Sequence, residues 1–80
     1  MFSLMDLRAL LEQGFAPLAC DCVLGDASLS VRVYDRESGR VDLMVAGIAL
    51  GGLRQREDAV RLLKELQDEL AFNALRRAQS

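Results

Sequence analysis

Apolar residues change their spacing along this chain, and each change marks an element. Leu4, Leu7, Leu11 and Phe15 recur at helical intervals, and Leu10 widens the stripe. The spacing predicts a helix over residues 3–14. Ser3 can cap it, and Asp6 three residues later lies near the positive end of the helix dipole. Gly14 suits the position just past the helix, and Pro17 forbids its continuation. The spacing then falls to two. Leu18, Cys20, Cys22 and Leu24 alternate with Ala19, Asp21 and Val23. Leu29, Val31 and Val33 alternate with Ser30, Arg32 and Tyr34. Val41, Leu43, Val45 and Gly47 alternate with Asp42, Met44, Ala46 and Ile48. Separated by Gly-containing turns, these runs predict three antiparallel strands joined by hairpins.

The apolar sets must share one face, which suggests a register. Leu29, Val31 and Val33 align with Leu24, Cys22 and Cys20 on one side, and with Val45, Leu43 and Val41 on the other. Arg32 then falls between Asp21 and Asp42 on the outer face. Such cross-strand charge pairs contribute roughly 0.2–1 kcal/mol each.

After a loop holding Gly51 and Gly52, helical spacing returns over residues 55–76. Ala59, Val60, Leu63, Leu66, Leu70 and Ala74 form the stripe, with Leu62 at its margin. Glu57 with Arg61, Arg61 with Glu65, and Lys64 with Asp68 are neighbours of opposite sign one turn apart. Phe72 and Leu75 fall off the stripe, on the charged face. The predicted fold is a single α+β domain, a three-stranded antiparallel sheet with two helices on one face, in the order α-β-β-β-α.

Composition narrows the function. Eighty residues of which 51% are hydrophobic and 28% charged describe one folded domain, not a disordered tail. A net charge of −2 argues against a dedicated nucleic-acid binder. The absence of His removes most general-base and zinc chemistry. The longest uncharged stretch, residues 43–53, is too short for a spanning helix, which needs about 20 residues. The N-terminal run lacks the cationic start of a secretory signal. The expected compartment is the cytoplasm.

The candidate chemistry is sparse. Cys20 and Cys22 point the same way on a strand, about 6.5–7 Å apart at strand rise. That spacing is too wide for an ordinary disulfide. With no His to join them, they read as small apolar core residues, and thiol or metal work is the alternative. Gly47 reads as room for a helix to pack closely over the strand. Arg54 and Arg56 precede the last helix, where anions bind, but no phosphate-binding glycine motif accompanies them and Glu57 and Asp58 follow at once. The carboxylates show no acid/base pairing, and no Ser or Cys has a base to activate it. An enzyme is therefore not expected, and neither a cofactor nor a metal. The outer sheet face, with Tyr34, Met44 and Ile48, and the off-stripe Phe72 and Leu75 are the candidate partner surface, since aromatics and Met anchor interfaces. The third strand adds an edge unprotected by Lys or Pro. The expected assembly is a homodimer, or a complex with another protein. The alternative is an RNA- or anion-binding module using Arg54 and Arg56.

Three stretches carry a resemblance: Pro17-Leu-Ala-Cys-Asp-Cys22, Ser38-Gly-Arg-Val-Asp-Leu-Met-Val-Ala-Gly-Ile48 and Glu65-Leu-Gln-Asp-Glu-Leu70. With them the chain resembles, over roughly residues 3–71, the domain-of-unknown-function family numbered 1652, small proteins common in pseudomonads. The family has no assigned activity, so the resemblance implies no catalytic residues. Its pattern places Ser or Thr at the start of the last helix, where this chain has Leu53-Arg-Gln-Arg-Glu-Asp58. The element order is also similar to the double-stranded-RNA-binding domain, which reads A-form RNA by shape and phosphate contacts. That domain's lysine cluster and loop His have no counterpart here, so the likeness is one of topology.

Overall fold

The computed structural model describes residues 3–79. Helix α1 (Leu4–Phe15) is followed by strands β1 (Ala19–Leu24), β2 (Ser28–Tyr34) and β3 (Val41–Ala49). A 3-10 turn (Leu50–Gly52) then leads into helix α2 (Arg56–Gln79). The strands form one antiparallel sheet in the order β1-β2-β3, so β1 and β3 are both edges. Both helices cover the same face and touch each other, α1 lying over β1 and α2 over β3. This is the α+β fold, in the order α-β-β-β-α, that the spacing predicts.

Helix α1 opens with a reciprocal cap. The Ser3 hydroxyl accepts from the Asp6 N–H at 3.2 Å, and the Asp6 carboxylate accepts from the Ser3 N–H at 2.9 Å. The backbone and hydroxyl bonds from Ser3 hold the Asp6 carboxyl below its ordinary value. Gly14 is not past the helix but inside it. The helix runs on to Phe15, which is buried. Gly14 serves close packing instead: a Cβ there would stand 2.6 Å from the methyls of Leu63 on α2. The Gln67 side-chain amide, also on α2, donates to the Gly14 carbonyl at 3.0 Å and satisfies a group that the helix end leaves open.

The β1–β2 register is the predicted one, with Leu24, Cys22 and Cys20 opposite Leu29, Val31 and Val33. The β2–β3 register differs. Leu29 faces Ile48, Val31 faces Val45, Val33 faces Leu43, and Tyr34 faces Val41. Beside the hairpin the pairing is already one residue off, with Tyr34 rather than Val33 facing Val41, and β3 then holds an extra residue in each of two places, a β-bulge. One irregularity spans Gly47, whose φ of +76° a side chain rarely adopts. The other leaves Asp42 without a partner. Each bulge switches which face the following residues occupy. Ile48, expected outside, therefore packs against the core, while Val41, expected inside, is exposed. Gly47 is exposed too, with nothing near a Cβ built on it, so it makes room for no helix.

The core comprises Leu7, Leu11 and Phe15 of α1, Cys20, Leu29, Val31, Val33 and Leu43 of the sheet, and Ala59 and Leu66 of α2. Leu62, Leu63 and Leu70 flank it half-buried. Val60 and Ala74, expected on the α2 stripe, are exposed. Val60 is turned about 100° from Ala59, and Ala74 comes after Leu70, the last α2 residue packed against the core. At the start of α2 the Asp58 carboxylate accepts from the N–H groups of Arg54 (3.2 Å) and Gln55 (3.1 Å).

Candidate interaction surface

The face of the sheet away from the helices carries one charge pair. Arg32 donates to the Asp21 carboxylate at 2.7 Å, and its guanidinium lies 4.9 Å from the centre of the Tyr34 ring. Asp42, expected beside Arg32, is elsewhere. The shifted register puts Met44 opposite Arg32 instead. Asp42 is 8% exposed and accepts from Arg40 at 2.9 Å and from Arg77 of α2 at 3.1 Å. The bulge that displaces Asp42 thus ties the end of α2 to the sheet.

Of the apolar residues that stay most in water, which also include Met5 and Val23, three lie on β3 and the far end of α2. Met44 is 67% exposed, Phe72 59% and Leu75 58%. Leu43 and Met44 form one wall of an open groove of about 440 Å³, and α2 forms the other. Along that helix wall the order is Asp68 and Glu69, then Phe72 and Asn73, then Arg76. The Arg76 guanidinium lies 5.4 Å from the Phe72 ring centre, a cation–π contact one turn along the helix. The groove is therefore acidic at one end, aromatic in the middle and basic at the other.

Of the sequence-predicted partner residues, the structure brings Met44 and Phe72 into this groove and places Leu75 beside it on α2. Tyr34 lies half-buried under Arg32 on the outer face, and Ile48 belongs to the core. The charges on either side of Phe72 form a set with it that the sequence also carries, since Asp68, Phe72 and Arg76 recur at four-residue intervals and so share a helix face.

The other two candidates also have definite places. Arg54 and Arg56 stand at the start of α2, where the Asp58 carboxylate accepts from the N–H groups of Arg54 and Gln55, and Arg54 itself donates to the Gly51 carbonyl at 3.2 Å. Cys20 is buried as a core residue, whereas Cys22 is half-buried beneath α1; both are free thiols. Among the described residues no three His, Cys, Asp or Glu side chains converge as a metal site would need. No helix among them is long and apolar enough to cross a membrane.

No curated protein and no solved structure matches the chain. A family model does, the one described as "Protein of unknown function (DUF1652)", over residues 5–70. The match takes in α1, the whole sheet and the core-packed part of α2, and on that extent the chain belongs to this family.

Proposed function

We propose that this protein is a non-enzymatic self-associating module, a homodimer in which the exposed face of the last turns of α2 meets its own copy, antiparallel, about Phe72. The observation that carries the reading is the charge order around that ring, with Asp68 one turn before it and Arg76 one turn after it on the same helix face. A twofold interface must be self-complementary. Antiparallel pairing about Phe72 sets Arg76 of each copy against Asp68 of the other, twice. The two Phe72 rings meet at the axis, where offset or edge-on aromatic contacts are favourable. Leu75 and Met44 extend the apolar patch on either side. The charges fix orientation and the apolar groups supply affinity. Two unpaired cysteines fit a reducing compartment, and the cytoplasm is the setting we assign.

Light scattering coupled to size exclusion tests the reading. The wild type is expected to run at twice the chain mass at high micromolar concentration. Arg76→Asp and Asp68→Arg are each expected to halve that mass, because each sets like charges together twice. The double exchange Asp68→Arg with Arg76→Asp is expected to restore the dimer. A wild type that stays monomeric, or an exchanged variant that folds as the wild type does but stays monomeric, overturns the proposal.

A further inference from the structure

The two edges of the sheet differ. Bulges interrupt β3 twice, which spoils it as a template for a further strand. β1 pairs with β2 over six consecutive residues without a bulge, and neither Lys nor Pro lies in it. The Gly25 N–H donates to the Ser28 carbonyl at 2.8 Å, and from there antiparallel pairs alternate between bonded and non-bonded. Val23, Asp21 and Ala19 are therefore bonded to β2, while Leu24, Cys22 and Cys20 turn their N–H and C=O groups to the open edge. Among the described residues nothing outside the sheet hydrogen-bonds to those groups. A groove runs along this edge with α1 as its other wall. Beside Leu24 it is lined by Leu4, Leu7, Leu50 and Leu53, and beside Cys22 by Leu4, Leu7 and Arg8. At the Ala19 end it widens to about 640 Å³ and reaches Tyr34 and Arg36. The carboxylates at that end are engaged, Glu12 with Arg8 and Asp21 with Arg32. Arg36 has no ionic partner among the described residues.

We propose that β1 takes up an extended segment of a partner protein as a fourth strand, antiparallel to it and lying along α1, with apolar residues at alternate positions and an acidic residue at its C-terminal end. A strand satisfies the free groups of Cys20, Cys22 and Leu24 at once, which a compact ligand does not. The residues bonded to those three point to the same side as their side chains, toward α1. Opposite Leu24 and Cys22 they meet leucines, so they are apolar. Antiparallel pairing is the more stable kind, and it carries the segment from Leu24 toward Ala19. A residue opposite Ala19 points to the other face, beside Tyr34 and Arg36, and a carboxylate there supplies the ionic partner that Arg36 lacks. This edge lies across the sheet from β3 and the α2 groove, so the segment and the proposed dimer do not compete for one surface.

A fluorophore-tagged peptide as long as β1, six residues, with valine and threonine alternating and aspartate last, tests this by fluorescence anisotropy. The full-length protein is expected to bind it saturably below about 1 mM. Hydrogen exchange at the amides of Cys20, Cys22 and Leu24, followed by NMR, is expected to slow when the peptide is added. N-methylation of two valines removes donors aimed at β1 and is expected to weaken binding at least about tenfold. The same change at two threonines, whose N–H groups face water, is expected to leave binding within about threefold. Arg36→Glu is expected to weaken binding about fivefold, and lysine in place of the peptide's aspartate to restore it. No binding, equal loss from both N-methylated peptides, or Arg36→Glu without effect overturns the proposal. So does slow exchange at the three amides that grows with protein concentration in the absence of peptide, which places a second copy of this chain at the edge.

Discussion

The two parts of α2 use similar residues for opposite ends. Up to Leu70 its apolar side chains, Val60 apart, follow one stripe, with Ala59 and Leu66 buried and Leu62, Leu63 and Leu70 packed alongside. Beyond Leu70 the apolar residues Phe72 and Leu75 leave that stripe and stand in water. The family match ends at residue 70 as well, where core packing stops. Hydrophobicity alone does not separate the two parts, but angular position does. An apolar residue in phase with the stripe holds the fold together. One out of phase, bounded by charges, is left for something outside the chain.

The sharpest way to break that contrast is to empty one position of each kind. Leu29→Ala, at a fully buried site in the central strand, is expected to cost about 3 kcal/mol. The melting temperature should fall by more than about 10 °C. Phe72→Ala should change the monomer's stability by less than about 0.5 kcal/mol, measured by urea unfolding, while abolishing the dimer. Comparable losses of stability in both variants would erase the distinction.

Asp42→Asn sharpens the contrast at the joint between the two parts. Removing the carboxylate that accepts from Arg40 and Arg77 is expected to cost about 1.5 kcal/mol. The loss should be concentrated in residues 71–79, where amide hydrogen exchange should accelerate while the sheet keeps its protection. Gly47→Ala acts on the region with the dense core. A side chain at φ +76° should cost about 1 kcal/mol, read as a lower denaturant midpoint with an unchanged slope. The smallest effect belongs to Asp6. Its folded value lies below the ordinary 3.8, so the stability it contributes is complete above that value. That contribution is lost as pH falls through the folded value. Asp6→Asn is expected to flatten the acid limb of the thermal stability profile and leave the neutral region slightly lower.

The fold was largely legible because most elements keep a single period. The β1–β2 pairing follows from matching apolar sets, and the Asp21–Arg32 pair falls out of it. For β3 a straight alternation fails because it assumes that no residue is inserted, and the ladder has two insertions. Gly47 was the signal, since a glycine inside a strand often marks a bulge. Asp42 gave another, a carboxylate in a run otherwise apolar from Val41 to Leu50. Phe72 and Leu75 could be singled out by phase alone. That Met44 shares a groove with Phe72 depends on how α2 crosses β3, which no local pattern encodes.

The bond from Gln67 to Gly14 joins positions 53 residues apart, and Leu63 fills the space that Gly14 leaves open. During synthesis the N-terminal helix therefore leaves the ribosome with its last turn unfinished. It acquires its closing hydrogen bond only after Gln67 has been made. Maturation of the earliest element waits on the latest, so a nascent chain halted before Gln67 holds all three strands and still lacks the clasp that secures its beginning.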